Sequence, residues 1–120
     1  MRQEVILLVE DEVVLRRILC ESLESDGFLV KTAPTADTAW GMVDRGVTFD
    51  ILVTDVQMPG QMNGLDLALM VNRRCPDVRI VVMSGFTSLA DFDRRLGTFL
   101  KKPFTSAKLA ETITSAGLTD

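Results

Sequence analysis

The sequence predicts an α/β fold, a parallel sheet with helices on both faces. Short, unbroken apolar runs recur along the chain, at Val5–Val9, Ile51–Val53 and Ile80–Met83, with a shorter one at Phe99–Leu100. Such runs mark strands covered on both sides. Between them lie segments whose apolar residues recur at helical spacing. Strand and helix therefore alternate, which is the pattern of a doubly wound sheet joined by right-handed crossovers. The third observation is chemical: each apolar run stops at a polar or charged residue, and sites in such sheets form outside the carboxyl ends of the strands.

The first strand is expected over Glu4–Val9. A helix follows over Glu12–Ser25, with Val14, Leu15, Ile18, Leu19 and Leu23 as its stripe and Asp11 placed to cap it. Asp26-Gly27 ends that helix, and Phe28–Ala33 forms the second strand. Thr35 caps a second helix that runs to about Arg45, with Ala36, Ala39, Trp40 and Val43 on one side and Gly46 closing it. The third strand is Asp50–Thr54, and its loop, Asp55–Asn63, contains Pro59-Gly60, a turn signal. A helix after Gly64 ends before Pro76, with Leu65, Ala68 and Leu69 toward the core. Leu67, Met70 and Val71 widen that stripe, so part of it is either a partner surface or ordinary exposed scatter. Val78–Met83 is the fourth strand. Leu89, Phe92 and Leu96 then suggest a helix of about two turns, marginal without packing. Thr98–Leu100 is the fifth strand, and Thr105 caps a last helix carrying Ala107, Leu109, Ala110 and Ile113.

A chain of 120 residues suits one domain with a real core. The 13 basic and 17 acidic residues leave a net charge of −4, which argues against nucleic acid or an anionic membrane as a direct partner. No apolar run approaches the length of a membrane span, and the first residues enter a strand directly, so no secretory signal is expected. Cys20 and Cys75 follow no pairing pattern, as expected for reduced thiols in a cytoplasm. The absence of histidine excludes a Ser-His-Asp triad, a His-ligated zinc site and a histidine phosphoacceptor within this chain.

If the strands are parallel neighbours, one edge of the sheet gathers Glu10, Asp11, Asp55, Ser84 and Lys102. That set contains three carboxylates, a hydroxyl and an ammonium. Each member has a plainer reading as well. Asp55 and Asp11 are capping residue types, Ser84 is a turn residue, and Lys102 is a surface charge like Lys101; Phe99, within the fifth strand, also reads as plain core. Together, however, they fall at the ends of successive strands.

In this ordered set the chain resembles a bacterial response-regulator receiver domain. The matching residues are Glu10-Asp11 after the first strand, Asp55 after the third with Met58-Pro59 and Gly64 beyond it, Ser84-Gly85 after the fourth, Phe99 within the fifth and Lys102-Pro103 at its end. The resemblance covers essentially the whole chain. It implies a flavodoxin-like (βα)5 sheet with strand order 2-1-3-4-5. Two departures stand out. Glu10 replaces the commoner Asp, and the segment Gly85–Lys101 is several residues shorter than usual, which implies a shortened fourth helix and leaves the family's usual signalling face open here.

The resemblance implies that Asp55 accepts a phosphoryl group from a sensor histidine kinase or histidine phosphotransferase. It further implies Mg²⁺ held by Asp11 and Asp55, by Glu10 through water, and by the backbone carbonyl of Gln57. Lys102 would hold a phosphoryl oxygen, with a cis bond to Pro103, and Ser84 would meet the phosphoryl group. Ser84 and Phe99 form the implied switch toward an unidentified downstream protein, and Gln57 and Phe86 flank the site where the family tunes phosphoryl lifetime. Val14, Leu15, Ile18, Pro103 and Phe104 are the candidates for kinase docking, with core packing as their alternative. A flavodoxin-like electron carrier shares the topology, but Glu10-Asp11-Glu12 would repel a flavin phosphate. A phosphatase working through an aspartyl-phosphate usually has a second acid two residues after its nucleophile, where this chain has Gln57.

Overall fold

The computed structural model describes residues 3–85 and 96–118, with side chains through Ser115. The elements are β1 (Val5–Val9), α1 (Val13–Ser25), β2 (Leu29–Ala33), α2 (Ala36–Asp44), β3 (Ile51–Asp55), α3 (Gly64–Arg74), β4 (Arg79–Ser84), β5 (Thr98–Lys101) and α4 (Ser106–Leu118). All strand pairs are parallel, in the expected order β2-β1-β3-β4-β5. The short helix expected around Leu89 and Phe92, and Phe86 with it, lie outside the described residues.

Pleating sends alternate residues to opposite faces, and both faces are covered. Leu7, Val9, Leu52, Ile80 and Val82 pack with Ala36, Ala39 and Val43 of α2 and with Leu67, Ala68 and Val71 of α3. Ile6, Leu8, Ile51, Val53, Val81 and Met83 pack with Leu19 and Leu23 of α1 and with Leu109 and Ile113 of α4. Each fully buried Leu or Ile contributes about 1.5–3 kcal/mol. The central strands carry most of this burial, which makes β3 a rigid base for the residue at its end.

The helix ends show which local signals hold. Thr35 Oγ1 accepts from the Thr38 N–H at 3.1 Å and Thr105 Oγ1 from the Lys108 N–H at 3.0 Å, so both expected caps form. Asn63 and Asp66 make a reciprocal capping box at the start of α3. Asp11 does not cap α1. Glu12 holds the N-cap position, without a side-chain bond to the first turn. The Glu12 N–H instead donates to Glu10 Oε2 at 3.2 Å. Because α1 begins at Val13, Asp11 stands one residue too early to cap it. The core face of α3 is also rotated from the expected one: Gly64, Leu67, Ala68 and Val71 are buried, Leu65 is half-buried, and Leu69 is 46% exposed. Positions 64, 67, 68 and 71 are the i, i+3, i+4, i+7 set, and once they face the sheet Leu69 must face away.

Candidate functional site

β1 and β3 are adjacent, so their ends deliver Glu10 and Asp55 side by side. Glu10 is 1% exposed and Asp55 6%. Exposed Asp11 follows in the β1–α1 loop, and one carboxylate oxygen from each of the three residues lies within 4.8 Å of the others. Lys102 directly follows β5, which lies three strands away from β1. Its backbone N–H is fixed on Ser84 O at 2.9 Å, just past the end of β5. From there the Lys102 Nζ donates to Asp55 Oδ2 at 2.9 Å and to Glu10 Oε1 at 3.0 Å. The Lys102–Pro103 peptide bond is cis, as the resemblance implied. Four of the strand-end residues therefore meet as one cluster.

Ser84 ends β4 and is fully buried. Phe99 in β5 is half-buried and packs against the core layer shared with α2 and α3. Gln57 is exposed in the loop after Asp55. Of the docking candidates, Val14 and Ile18 are 64% and 53% exposed, and Pro103 is exposed too. Leu15 and Phe104 are half-buried against the layer shared with α1 and α4.

Burial is the largest influence on Glu10 and pushes its carboxyl above the usual range; the Lys102 hydrogen bond and the Glu12 N–H oppose it, while the Asp55 charge adds to it. Burial alone would lower Lys102, but its hydrogen bonds to Asp55 and Glu10, with their charges, outweigh that and raise it. The ammonium is thus held charged. With all groups ionised, three carboxylates against one ammonium leave two negative charges in a space a few ångströms across. Hard oxygen donors with that residual charge suit a divalent cation such as Mg²⁺.

One supporting residue, Arg16, escaped the sequence reading, and Gly64 was matched there only as part of the resemblance, without its packing role. Arg16 Nη1 donates to Glu10 O at 2.8 Å and ties the β1–α1 loop to the helix. The clue was a cation in the first turn of α1, where the helix dipole disfavours one. Gly64 lets α3 approach the end of β3. Its N–H reaches Val56 O at 2.9 Å, and a Cβ there would lie 1.8 Å from Asp55 O. No other residue fits without moving the backbone of the central acid.

A family model described as response regulator receiver domain matches residues 6–114. The chain is 35% identical over 115 residues to the DNA-binding transcriptional regulator NtrC of Azospirillum brasilense, covering 92% of this chain and 24% of that protein. It thus spans about a quarter of that relative's length. It is also 35% identical over 103 residues to the response regulator receiver protein CpdR of Brucella abortus, covering 82% of this chain and 84% of that one. Among solved structures, the response regulator TrrA of Thermotoga maritima, in complex with Mg²⁺-BeF, superposes with a TM-score of 0.85 at 25% identity, covering 95% of this chain and 99% of that one.

The chain belongs to the response regulator receiver domain family. It is a phosphoacceptor module of two-component signalling, a class that works with histidine kinases or histidine phosphotransferases. Among the described residues, no helix is long and apolar enough to cross a membrane.

Proposed function

We propose that Asp55 is the phosphoacceptor of this receiver and that Glu10, Asp11 and the backbone carbonyl of Gln57 join it in holding Mg²⁺. The observation that carries this reading is the Lys102 ammonium bridging Asp55 Oδ2 and Glu10 Oε1, on the edge of the sheet where Asp11 also stands. A carboxylate is a weak nucleophile, so the catalysis it needs is positioning and charge neutralisation. β3 supplies the positioning, because Asp55 is buried at the end of a strand whose other four residues are all buried. When bound, Mg²⁺ supplies positive charge against the phosphoryl oxygens.

Lys102 supplies a second, permanent positive charge on the side of β5. Its Nζ already touches the nucleophile, so it moves little to hold an incoming phosphoryl oxygen. An Asp55 oxygen then bonds to phosphorus as the bond to the donor's imidazole nitrogen breaks, and the imidazole keeps that electron pair. Ser84, at the end of the neighbouring strand, donates its hydroxyl to the new phosphoryl group. Phe99 lies one strand further along and responds to that movement. Gln57, beside the site and open to solvent, sets how readily water reaches the acyl phosphate.

The donor kinase docks on α1 and the loop after β5, where Val14, Ile18 and Pro103 are exposed and Leu15 and Phe104 are half-exposed beside them. The test of the acceptor is incubation with acetyl phosphate and Mg²⁺, followed by intact mass and peptide mapping. The wild type gains one phosphoryl group on the peptide containing Asp55, and Asp55→Asn gains none. Labelling of Asp55→Asn at the wild-type rate overturns the assignment.

A further inference from the structure

The outward face of α3 is not used by the phosphoacceptor site. Leu69 is 46% exposed, Met70 is half-buried, and Asp66 and Arg73 are exposed on either side of them. A hollow of about 450 Å³ between the starts of α2 and α3 is lined in part by Met62, Asp66, Leu69, Met70 and Arg73. A second, of about 330 Å³, shares Met70 and Arg73 with it and adds the Trp40 ring. The two hollows adjoin at Met70 and Arg73, and the first also carries Asp66, Asp37 and Gln61 beside its apolar residues.

The order of charges follows the helix. Asp66 lies in the first turn of α3 and Arg73 in the last. They are seven residues apart, which is two turns and about 10 Å along one face. Their midpoint falls between Leu69 and Met70, the two apolar residues of the same face. A two-fold axis through that midpoint, perpendicular to α3, carries Asp66 onto the position facing Arg73 of a second copy. It carries Arg73 onto that copy's Asp66 and places Leu69 and Met70 of each chain against those of the other. An isologous interface needs this self-complementarity. Arg74 is already engaged, 3.5 Å from Asp44 and stacked 5.8 Å from the Trp40 ring centre. No ion pair engages Arg73 among the described residues.

From this register we infer that the α3 face is a self-association surface, on which a second copy of this chain docks with its α3 antiparallel. Two packed antiparallel helices lie about 8–10 Å apart, depending on the side chains between them, close enough for the long Arg73 side chain to pair with Asp66. The patch is small, so the dimer is weak and its population depends on concentration.

Sedimentation equilibrium over a range of concentrations tests this, with circular dichroism and acetyl-phosphate labelling confirming that each variant is folded. The wild type shows a concentration-dependent dimer. Leu69→Glu weakens it at least tenfold. Arg73→Glu alone and Asp66→Lys alone each weaken it similarly, because each homodimer then sets like charges together. A one-to-one mixture of those two variants restores the dimer, since Lys at position 66 then faces Glu at 73 and Arg73 faces Asp66. Asp66 also caps α3, and the mixing arm keeps the test decisive even if Asp66→Lys loses some stability. A wild type that stays monomeric throughout overturns the inference. So does a dimer that these variants leave unchanged, or a mixture no more associated than its components.

Discussion

Replacing Lys102 with Met probes the cluster most directly, because it removes one cation from between two buried anions and leaves the hydrocarbon arm in place. The lost contacts are those to Asp55 Oδ2 at 2.9 Å and Glu10 Oε1 at 3.0 Å. Removing one partner of a buried ion pair costs about 3–5 kcal/mol. Here the lysine side chain is 23% exposed, and Glu10, already shifted upward by burial, can take up a proton. The cost therefore falls at the low end, about 3 kcal/mol, or a fall in Tm of about 12 °C for a domain of this length. Both numbers apply in EDTA. Saturating Mg²⁺ replaces part of the missing charge, so the rise in Tm on adding Mg²⁺ is larger in Lys102→Met than in the wild type. The pH dependence has a fixed sign. A carboxyl with a raised pKa binds more protons folded than unfolded, so stability falls as pH rises through that range. Without the ammonium this effect grows, and the deficit of Lys102→Met in EDTA widens from mildly acidic to neutral pH. Calorimetry in EDTA and in Mg²⁺ at two pH values reads all three quantities. Equal Tm in EDTA, or equal Mg²⁺ shifts in the two proteins, refutes the bridging role.

Four further outcomes follow from the same geometry. Asp11→Ala weakens Mg²⁺ binding more than Glu10→Ala in a calorimetric or NMR titration, because Glu10 is already shared with Lys102 while Asp11 has open solvent beside it; equal affinities in wild type and Asp11→Ala contradict the ligand assignment. Val14→Glu or Ile18→Glu slows transfer from the cognate kinase at least tenfold and leaves acetyl-phosphate labelling intact, whereas an equal loss in both assays points to misfolding. Ser84→Ala still becomes labelled on Asp55 but suppresses the change in Thr98–Lys101 amide exchange that beryllofluoride causes in the wild type; identical exchange responses sink the Ser84–Phe99 coupling. Gly64→Ala forces a methyl to within 1.8 Å of Asp55 O and costs more than about 3 kcal/mol, read as a fall in denaturation midpoint, and a near-neutral midpoint contradicts the close approach.

The strands were readable because each carries its own local signal. β1, β3 and β4 are buried on both faces, and continuous apolar runs announce that directly. β2 carried a weaker signal, because it lies at the edge of the sheet and exposes Leu29 and Lys31. The helices were readable as helices, but their rotation was not. In α3 six apolar positions competed for one contact, and periodicity alone ranked Leu69 with the core and Val71 with the fringe. Tertiary packing decided otherwise, through the tight seat of Gly64 on the end of β3. That seat sets the phase of the helix, and no propensity encodes it. α1 presented the same ambiguity with Val14 and Ile18. Its apolar stripe is wider than its contact with the sheet, and only Leu19 and Leu23 are fully used there.

The site was more readable than the packing around it, and the reason is topological. A parallel sheet with crossovers on both faces collects strand ends at one edge whatever fills its core. Residues at those ends converge even when they are far apart in sequence, as with Glu10 and Lys102, which lie 92 positions apart. What strand-end placement alone does not reveal is how each end is held in register. Lys102 reaches Asp55 only because its own backbone is pinned to Ser84. Asp55 is aimed only because Thr54 Oγ1 donates to the Asp55 carbonyl at 3.0 Å and Gly64 packs against the same group. Arg16 helps to fix Glu10 by holding its carbonyl. These contacts all run to backbone carbonyls, which every residue carries, so the sequence marks them with nothing but an arginine, a threonine and a glycine in otherwise ordinary places. The charged groups state the chemistry, and the backbone contacts supply the fine placement that the proposed transfer to a weak carboxylate nucleophile requires.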